Sequence, residues 1–356
     1  MTTYYWMLLI VSFAATLATA LNINHQRVCS GRVRYSFPVK ICLFAIIVTL
    51  VIVSGFRYAV GTDFFNYYKM EGYSKKLDES LKTLDEPVLP LLAAIVSIFT
   101  DNGSYFLLVC AALTITLSLV PCYKYTNNFV FVTLLYIFAG LWHGSFNGVR
   151  QFLAAAVVFS GHRLILQKKF WKYLLVVFIA FCVHRSAIVM LIPYFILNNR
   201  VSVKNLILLA IGTLIVAWNY EDIFRIAGLL KDSDMQMTDA AYYTTSVSIF
   251  RVLVACAPAI FFVILYLTEE TKGEERFYIN ALVMNAAAMV AMSNSAYLAR
   301  LAIYTNMFSP LAIARLLRLK NKQLETIIKV VIIALFAVYW YIEVSGSSSL
   351  NHFQWA

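Results

Sequence analysis

Apolar residues run through this chain in long unbroken blocks separated by short polar connectors. The blocks fall at about 4–23, 38–56, 88–100, 104–121, 129–142, 148–166, 173–197, 204–218, 249–267, 278–293, 299–314 and 324–344. About 20 consecutive apolar residues are enough to cross the hydrocarbon core of a bilayer as a helix. Strands of a membrane barrel would instead alternate apolar and polar positions, and these blocks do not alternate. The pattern predicts an all-α integral membrane protein with about 11–12 transmembrane helices, short or broken ones included. No polar stretch exceeds about 30 residues, so residues 1–356 are read as a single polytopic membrane domain. The first block has no basic segment ahead of it; although Ala18-Thr19-Ala20 resembles a cleavage site, the block is read as a retained span.

Cations orient the spans, because cytoplasmic loops carry an excess of Lys and Arg. Arg27, Arg32 and Arg34 mark the first loop as cytoplasmic, Lys168, Lys169 and Lys172 a second, and Arg315, Arg318, Lys320 and Lys322 a third. The two long loops, about 57–86 and 219–248, then face outward. The first carries Asp63, Glu71, Asp78, Glu79, Asp85 and Glu86, and the second Glu221, Asp222, Asp232, Asp234 and Asp239.

Helix parity adds two expectations. Five blocks lie between the Arg-rich and Lys-rich cytoplasmic loops, yet two loops on one side need an even number of crossings. The block at 88–100, of about 13 residues, is too short to cross and is predicted to be re-entrant or interfacial. The block at 173–197 has Lys172 before it, Arg200 and Lys204 after it, and His184 and Arg185 in its middle. A straight helix would leave a charge near mid-membrane, at a cost of about 3 kcal/mol or more. Two half-length helices turning at His184–Arg185 avoid that cost by opening the turn to a cavity, where irregular backbone is tolerated.

Composition changes little beyond this. Hydrophobic residues are 61% of the chain and charged ones 13%, about half the usual share. The net charge of +11 has its source in the cytoplasmic loops, so no nucleic-acid partner is implied. The six cysteines are scattered with no CxxC, which indicates neither a disulfide framework nor a zinc site. No P-loop, GxGxxG or metal-ligand spacing occurs, so neither cofactor nor metal is expected.

The chemistry-bearing residues gather towards the outer face. They are Arg57 and Asp63 in FRYAVGTDFFNYY, Glu86 in DEPVLP, His143, Arg150 and Gln151 in WHGSFNGVRQ, His184 and Arg185 in FCVHRSAIVMLIPY, and Arg300 in SNSAYLARLAIY. Arginine's planar, permanently charged fork suits a diphosphate. Any one of these arginines could instead snorkel to the interface. Asp63, Glu86 and His184 are the residue types that can act as a general base, although Asp63 could simply cap a helix starting at Phe64. The aromatic cluster Phe64, Phe65, Tyr67, Tyr68 and Tyr73 is read as an interfacial anchor.

In their order, these residues resemble the EpsG family of Wzy-type polysaccharide polymerases. Arg57 and Gly61-x-Asp63 follow an early span, Arg150-Gln151 opens a helix, His184 and then Ser186 stand in an apolar run, and Arg300 is followed four residues later by Tyr304. The resemblance covers most of the chain. It implies a helical membrane glycosyltransferase of GT-C-like architecture in the bacterial inner (cytoplasmic) membrane, with its active site on the periplasmic side. The partners it implies are donor and acceptor glycans on undecaprenyl diphosphate and the membrane lipid, with a chain-length regulator and a flippase as candidate protein partners. The expected reaction is a one-step inverting transfer without metal. Arg57, Arg150, Arg185 and Arg300 would hold diphosphate, His184 or Asp63 would act as base, and Glu86, Gln151, His143 and Tyr304 complete the candidate site. Two rivals remain, another polyprenyl-phosphate-dependent glycosyltransferase and a flippase for the lipid-linked unit. A flippase should show internal repeats and polar residues through the membrane's depth, and no repeat is found here.

Overall fold

The structure, a computed structural model, describes residues 1–22, 27–29, 32–199, 202–219, 245–266 and 273–356. Arg200 and the acids Glu221, Asp222, Asp232, Asp234 and Asp239 of the second expected outer loop lie outside the described residues. The chain is a helical membrane protein, and among the described residues five helices are long and apolar enough to cross a bilayer. It divides into two compact units, Met1–Leu191 with Leu317–Ala356, and Ile192–Leu316.

The first unit starts with α1 (Thr2–Asn22) and α2 (Phe37–Gly55), which pack together and are joined through the hairpin β1 (Arg27–Cys29) and β2 (Arg32–Arg34). Pro38 in the first turn of α2 needs no backbone donor there and pre-sets the helical φ. The loop expected at 57–86 is folded. It contains β3 (Arg57–Tyr58) and the short helices α3 (Phe64–Tyr68), α4 (Glu71–Ser74) and α5 (Leu77–Thr83). Next comes α6 (Val88–Ser97), whose 10 residues confirm the short element predicted at 88–100. The long helix α7 (Gly103–Tyr125) packs along α2, with Asn102 capping its start by accepting from the Ser104 amide at 2.9 Å.

The block at 129–142 breaks at Gly140, whose φ of +83° ends α8 (Phe129–Phe138) and starts α9 (Leu141–Gly144). Then α10 (Val149–Ser160) and α11 (His162–Leu166) run to the lysine turn, and α12 (Phe170–Val183) returns beside α10. His184 is extended, at φ −156° and ψ 122°, and a 3-10 turn, Arg185–Met190, follows it. The Tyr173 hydroxyl donates to the Met190 carbonyl at 2.7 Å. The chain therefore doubles back along α12 after His184, the broken pair predicted from the charge at mid-block.

The second unit takes over within α13 (Leu191–Ile196) and contains α14 (Val203–Trp218), α15 (Ile249–Tyr266), α16 (Gly273–Ala291), a 3-10 turn at Leu298–Leu301, α17 (Ala302–Asn306) and α18 (Ser309–Leu316). Here α16 is the central helix, packed on α14, α15 and α18. Thr305 donates to Asn285 at 3.1 Å inside this unit, and Arg315 pairs with Glu274. Finally α19 (Lys322–Gly346) returns to the first unit, where it packs on α8, and β4 (Gln354–Trp355) pairs antiparallel with β3.

The first unit has two chemically distinct ends. At one, the Tyr35 hydroxyl donates to the Thr126 carbonyl, Arg163 lies 4.8 Å from the Tyr125 ring centre, and Lys322 and Lys329 both pair with Glu325. At the other, the Met1 amino group, β3 and segment 347–356 meet. The chemistry-bearing residues of this unit lie towards the second end, opposite the lysine turn between α11 and α12.

Candidate active site

Glu86 is the hub. Oε1 accepts from His184 Nδ1 at 2.5 Å and from the Arg185 backbone amide at 3.1 Å, while Oε2 accepts from Arg150 Nη1 at 2.5 Å. Asp85 holds the Arg185 side chain, Oδ1 to Nε, at 2.8 Å. The tandem Asp85-Glu86 thus clasps the tandem His184-Arg185. Both acids stand in a tight turn in which Leu84 and Glu86 have φ of +54° and +50°. A side chain other than glycine's avoids that region, at a cost of about 1 kcal/mol, and functional sites are where such conformations persist.

Local folding explains the convergence. Arg150 is in the first turn of α10 and His184 follows the last residue of α12, so two neighbouring antiparallel helices bring them to one end. α6 lies against α4, α7 and α12 and carries Glu86 just ahead of its first turn. Burial separates the roles. The Glu86 side chain is 13% exposed, against 25% for His184, 40% for Arg150 and 44% for Arg185. The carboxylate is a floor beneath groups that a ligand can reach.

Burial alone would raise the Glu86 carboxyl, but the hydrogen bond and charge of His184, the Arg150 guanidinium and the Arg185 amide outweigh it and hold the group at about 2. An ionised Glu86 accepts hydrogen bonds only. The proton in the 2.5 Å contact therefore sits on His184 Nδ1, and Nε2 carries no hydrogen bond among the described residues.

Tyr67, expected from sequence as part of an interfacial aromatic anchor, lies against the cluster. It is buried, feels the charge of the Arg150 guanidinium and stacks on Tyr73 at 5.9 Å. Burial raises its phenol, with Arg150 pulling the other way. Asp63 also faces this hydroxyl electrostatically. Asp63 does sit at the start of a helix over Phe64–Tyr68, but among the described residues its carboxylate makes no capping hydrogen bond and meets only the Thr62 hydroxyl, at 3.4 Å. Spacing could have found Tyr67, since it falls one turn after Asp63. Asp85 could have been found from the match between the tandem at 85–86 and the tandem at 184–185.

Arg57 stands apart from this cluster. It is 2% exposed, and its guanidinium donates to the carbonyls of Ser54, Val60 (3.1 Å) and Phe146 (3.4 Å) while lying 4.5 Å from the Phe146 ring centre. Burial lowers it to about 10, so it stays charged near neutral pH, and no carboxylate pairs with it among the described residues. Its hydrogen bonds run to backbone carbonyls, so the geometry makes it a strut between the β3 turn and the turn before α10, whereas its residue type led to the expectation of a diphosphate contact. Gln151 and His143 are buried, the latter beside Tyr339 across Gly140. Arg300 and the fully buried Tyr304 belong to the second unit.

A family model matches residues 40–355, nearly the whole chain. The chain belongs to the EpsG family. EpsG proteins are related to Wzy-like polymerases. No curated protein and no solved structure matches the chain. The match spans every residue of the Glu86 cluster in this EpsG-family chain, from Tyr67 to Arg185.

Proposed function

We propose that this chain is a Wzy-type polysaccharide polymerase, joining oligosaccharide repeat units carried on a polyprenyl diphosphate, and that the Glu86 cluster is its catalytic centre. The observation that carries the reading is the ionised carboxylate shared by His184 Nδ1 and Arg150. It fixes the imidazole tautomer that leaves Nε2 as proton acceptor and stabilises the imidazolium once formed, the arrangement general-base catalysis asks for. The hydroxyl oxygen of the acceptor sugar attacks the anomeric carbon of the donor glycan, and its proton passes to His184 Nε2. The bond from that carbon to the diphosphate oxygen breaks, and the electron pair leaves on the diphosphate. Arg150 and Arg185 offset the developing charge. Attack opposite the leaving group inverts the anomeric centre.

Helix length supports a lipid-linked substrate. From Phe170 to Val183, the 14 residues of α12 rise about 21 Å, short of the ~30 Å hydrocarbon core. With the lysine turn at one surface, His184 sits roughly 9 Å below the other, within reach of a headgroup from that leaflet. The positive-inside rule then assigns the lysine end to the cytoplasm and the Glu86 end to the outer side of the bacterial inner membrane.

In cells, loss of the gene or a Glu86→Gln variant should leave surface glycan capped at single repeat units. Complete loss of surface glycan, with lipid-linked units retained inside, would point to a flippase and overturn the reading.

A further inference from the structure

Segment 347–356 has no part in the chemistry above, yet it is tied into the chemical end of the first unit at six places. The Ser349 carbonyl accepts from the Gly61 amide at 2.9 Å, and Gly61 holds a φ of +98° that its neighbours could not adopt without strain. The Leu350 carbonyl accepts from the Tyr4 hydroxyl at 2.9 Å and the Asn351 carbonyl from the Met1 amino group at 3.2 Å. β4 pairs with β3, Tyr58 opposite Gln354 and Arg57 opposite Trp355, and the Ala356 amide donates to the Phe56 carbonyl at 2.8 Å. The Phe353 ring packs edge-on against Tyr4, 5.4 Å between centres.

The clamped turn is the one that leads to the cluster. Residues 56–62 supply Arg57 and one of its carbonyl partners, Val60, while Phe146 supplies another from across the turn before α10. The Thr62 amide donates to Asn147 Oδ1 at 2.8 Å, and Asn147 stands three residues before Arg150. Asp63 follows Thr62 directly. A displacement of the Gly61 turn would therefore pass to Asp63, to the start of α10 and to the Arg150 fork.

We infer that segment 347–356 is a positioning element of the active site, a clamp on the Arg57–Asp63 turn that sets Arg150 through Asn147. The inference rests on reading the Glu86 cluster as a transferase site. It acts through geometry, where a misplacement of about 1 Å can cost a hundredfold in rate.

Four variants test it, with purified polyprenyl-diphosphate-linked repeat units as substrate and kcat taken per mole of folded protein below its melting temperature. Ending the chain after Gly346 should lower kcat about tenfold or more. Ala356→Pro removes one backbone donor and no side-chain contact, and should lower kcat several-fold while Ala356→Ser retains it. Joining Tyr58→Cys to Gln354→Cys by a disulfide, their positions being directly opposed, should leave kcat unchanged. Unchanged kcat in both the truncated and Ala356→Pro proteins, even with a lowered melting temperature, would reduce the segment to a stability element and overturn the proposal. So would a disulfide that silences the enzyme until reduced, since the segment would then have to open. If the unaltered protein makes no polymer, the transferase reading fails and takes this inference with it. An active wild type beside an equally active truncation sinks the clamp alone.

Discussion

Glu86 meets two side chains and a backbone amide at once, and each partner constrains it differently. Because its folded value of about 2 lies below the ordinary 4.5, its pairing contributes stability that is fully present above about pH 4.5 and is lost as pH falls towards 2. The carboxylate should thus stay charged near neutral pH, and under the proposed function a rate profile between about pH 5 and pH 8 should show no inflection from Glu86. Glu86→Gln keeps the shape and removes the charge that stabilises an imidazolium. It should lower kcat by roughly a hundredfold or more at neutral pH with the fold intact; a near-native rate would remove Glu86 from the mechanism. Arg57 behaves oppositely. Arg57→Met removes a buried charge and leaves the Ser54, Val60 and Phe146 carbonyls without their donor, at about 1–3 kcal/mol for each group stranded. The expected result is a clearly lowered melting temperature in detergent, with activity per folded molecule falling far less than for Arg150→Ala. Sequence could not separate these two arginines. One follows an apolar run and the other opens one, and only the carbonyl cage around Arg57 and the carboxylate against Arg150 tell them apart.

At the scale of elements, two short pieces were legible because charge and length left few alternatives. Parity made 88–100 a short helix, and the charge at His184–Arg185 made 173–197 a broken pair; α6 and the Tyr173–Met190 contact show both. The breaks at Gly140 and within 299–314 were not legible, since apolar blocks read the same whether or not a turn interrupts them. The close approach of α3 to α7 was equally hidden. A Cβ on Gly103 would lie 2.0 Å from the Tyr68 carbonyl oxygen, a backbone contact with no flexible end to yield. Gly103→Ala should push α7 from α3, cost about 1–3 kcal/mol as overpacking does, and disturb Tyr67 with it. A variant that melts as the wild type does would show that this junction has slack.

At the scale of the molecule, hydropathy alone sufficed for the membrane class, and the order of motifs for the family. The pairing of segment 347–356 with β3 was beyond it, because two residues of main-chain pairing across nearly 300 positions leave no periodicity to read. The proposed sidedness has its own check in intact cells. Thr62→Cys, exposed at the Glu86 end, should react with an impermeant thiol reagent from outside, whereas Lys168→Cys in the lysine turn should be protected until the membrane is opened. The reverse pattern would invert the topology. The most direct measurement is polymer formation by the purified protein from polyprenyl-diphosphate-linked repeat units. The account predicts a ladder of glycan lengths from the wild type and none from a His184→Ala protein with the same melting temperature. A full ladder from that variant would contradict it.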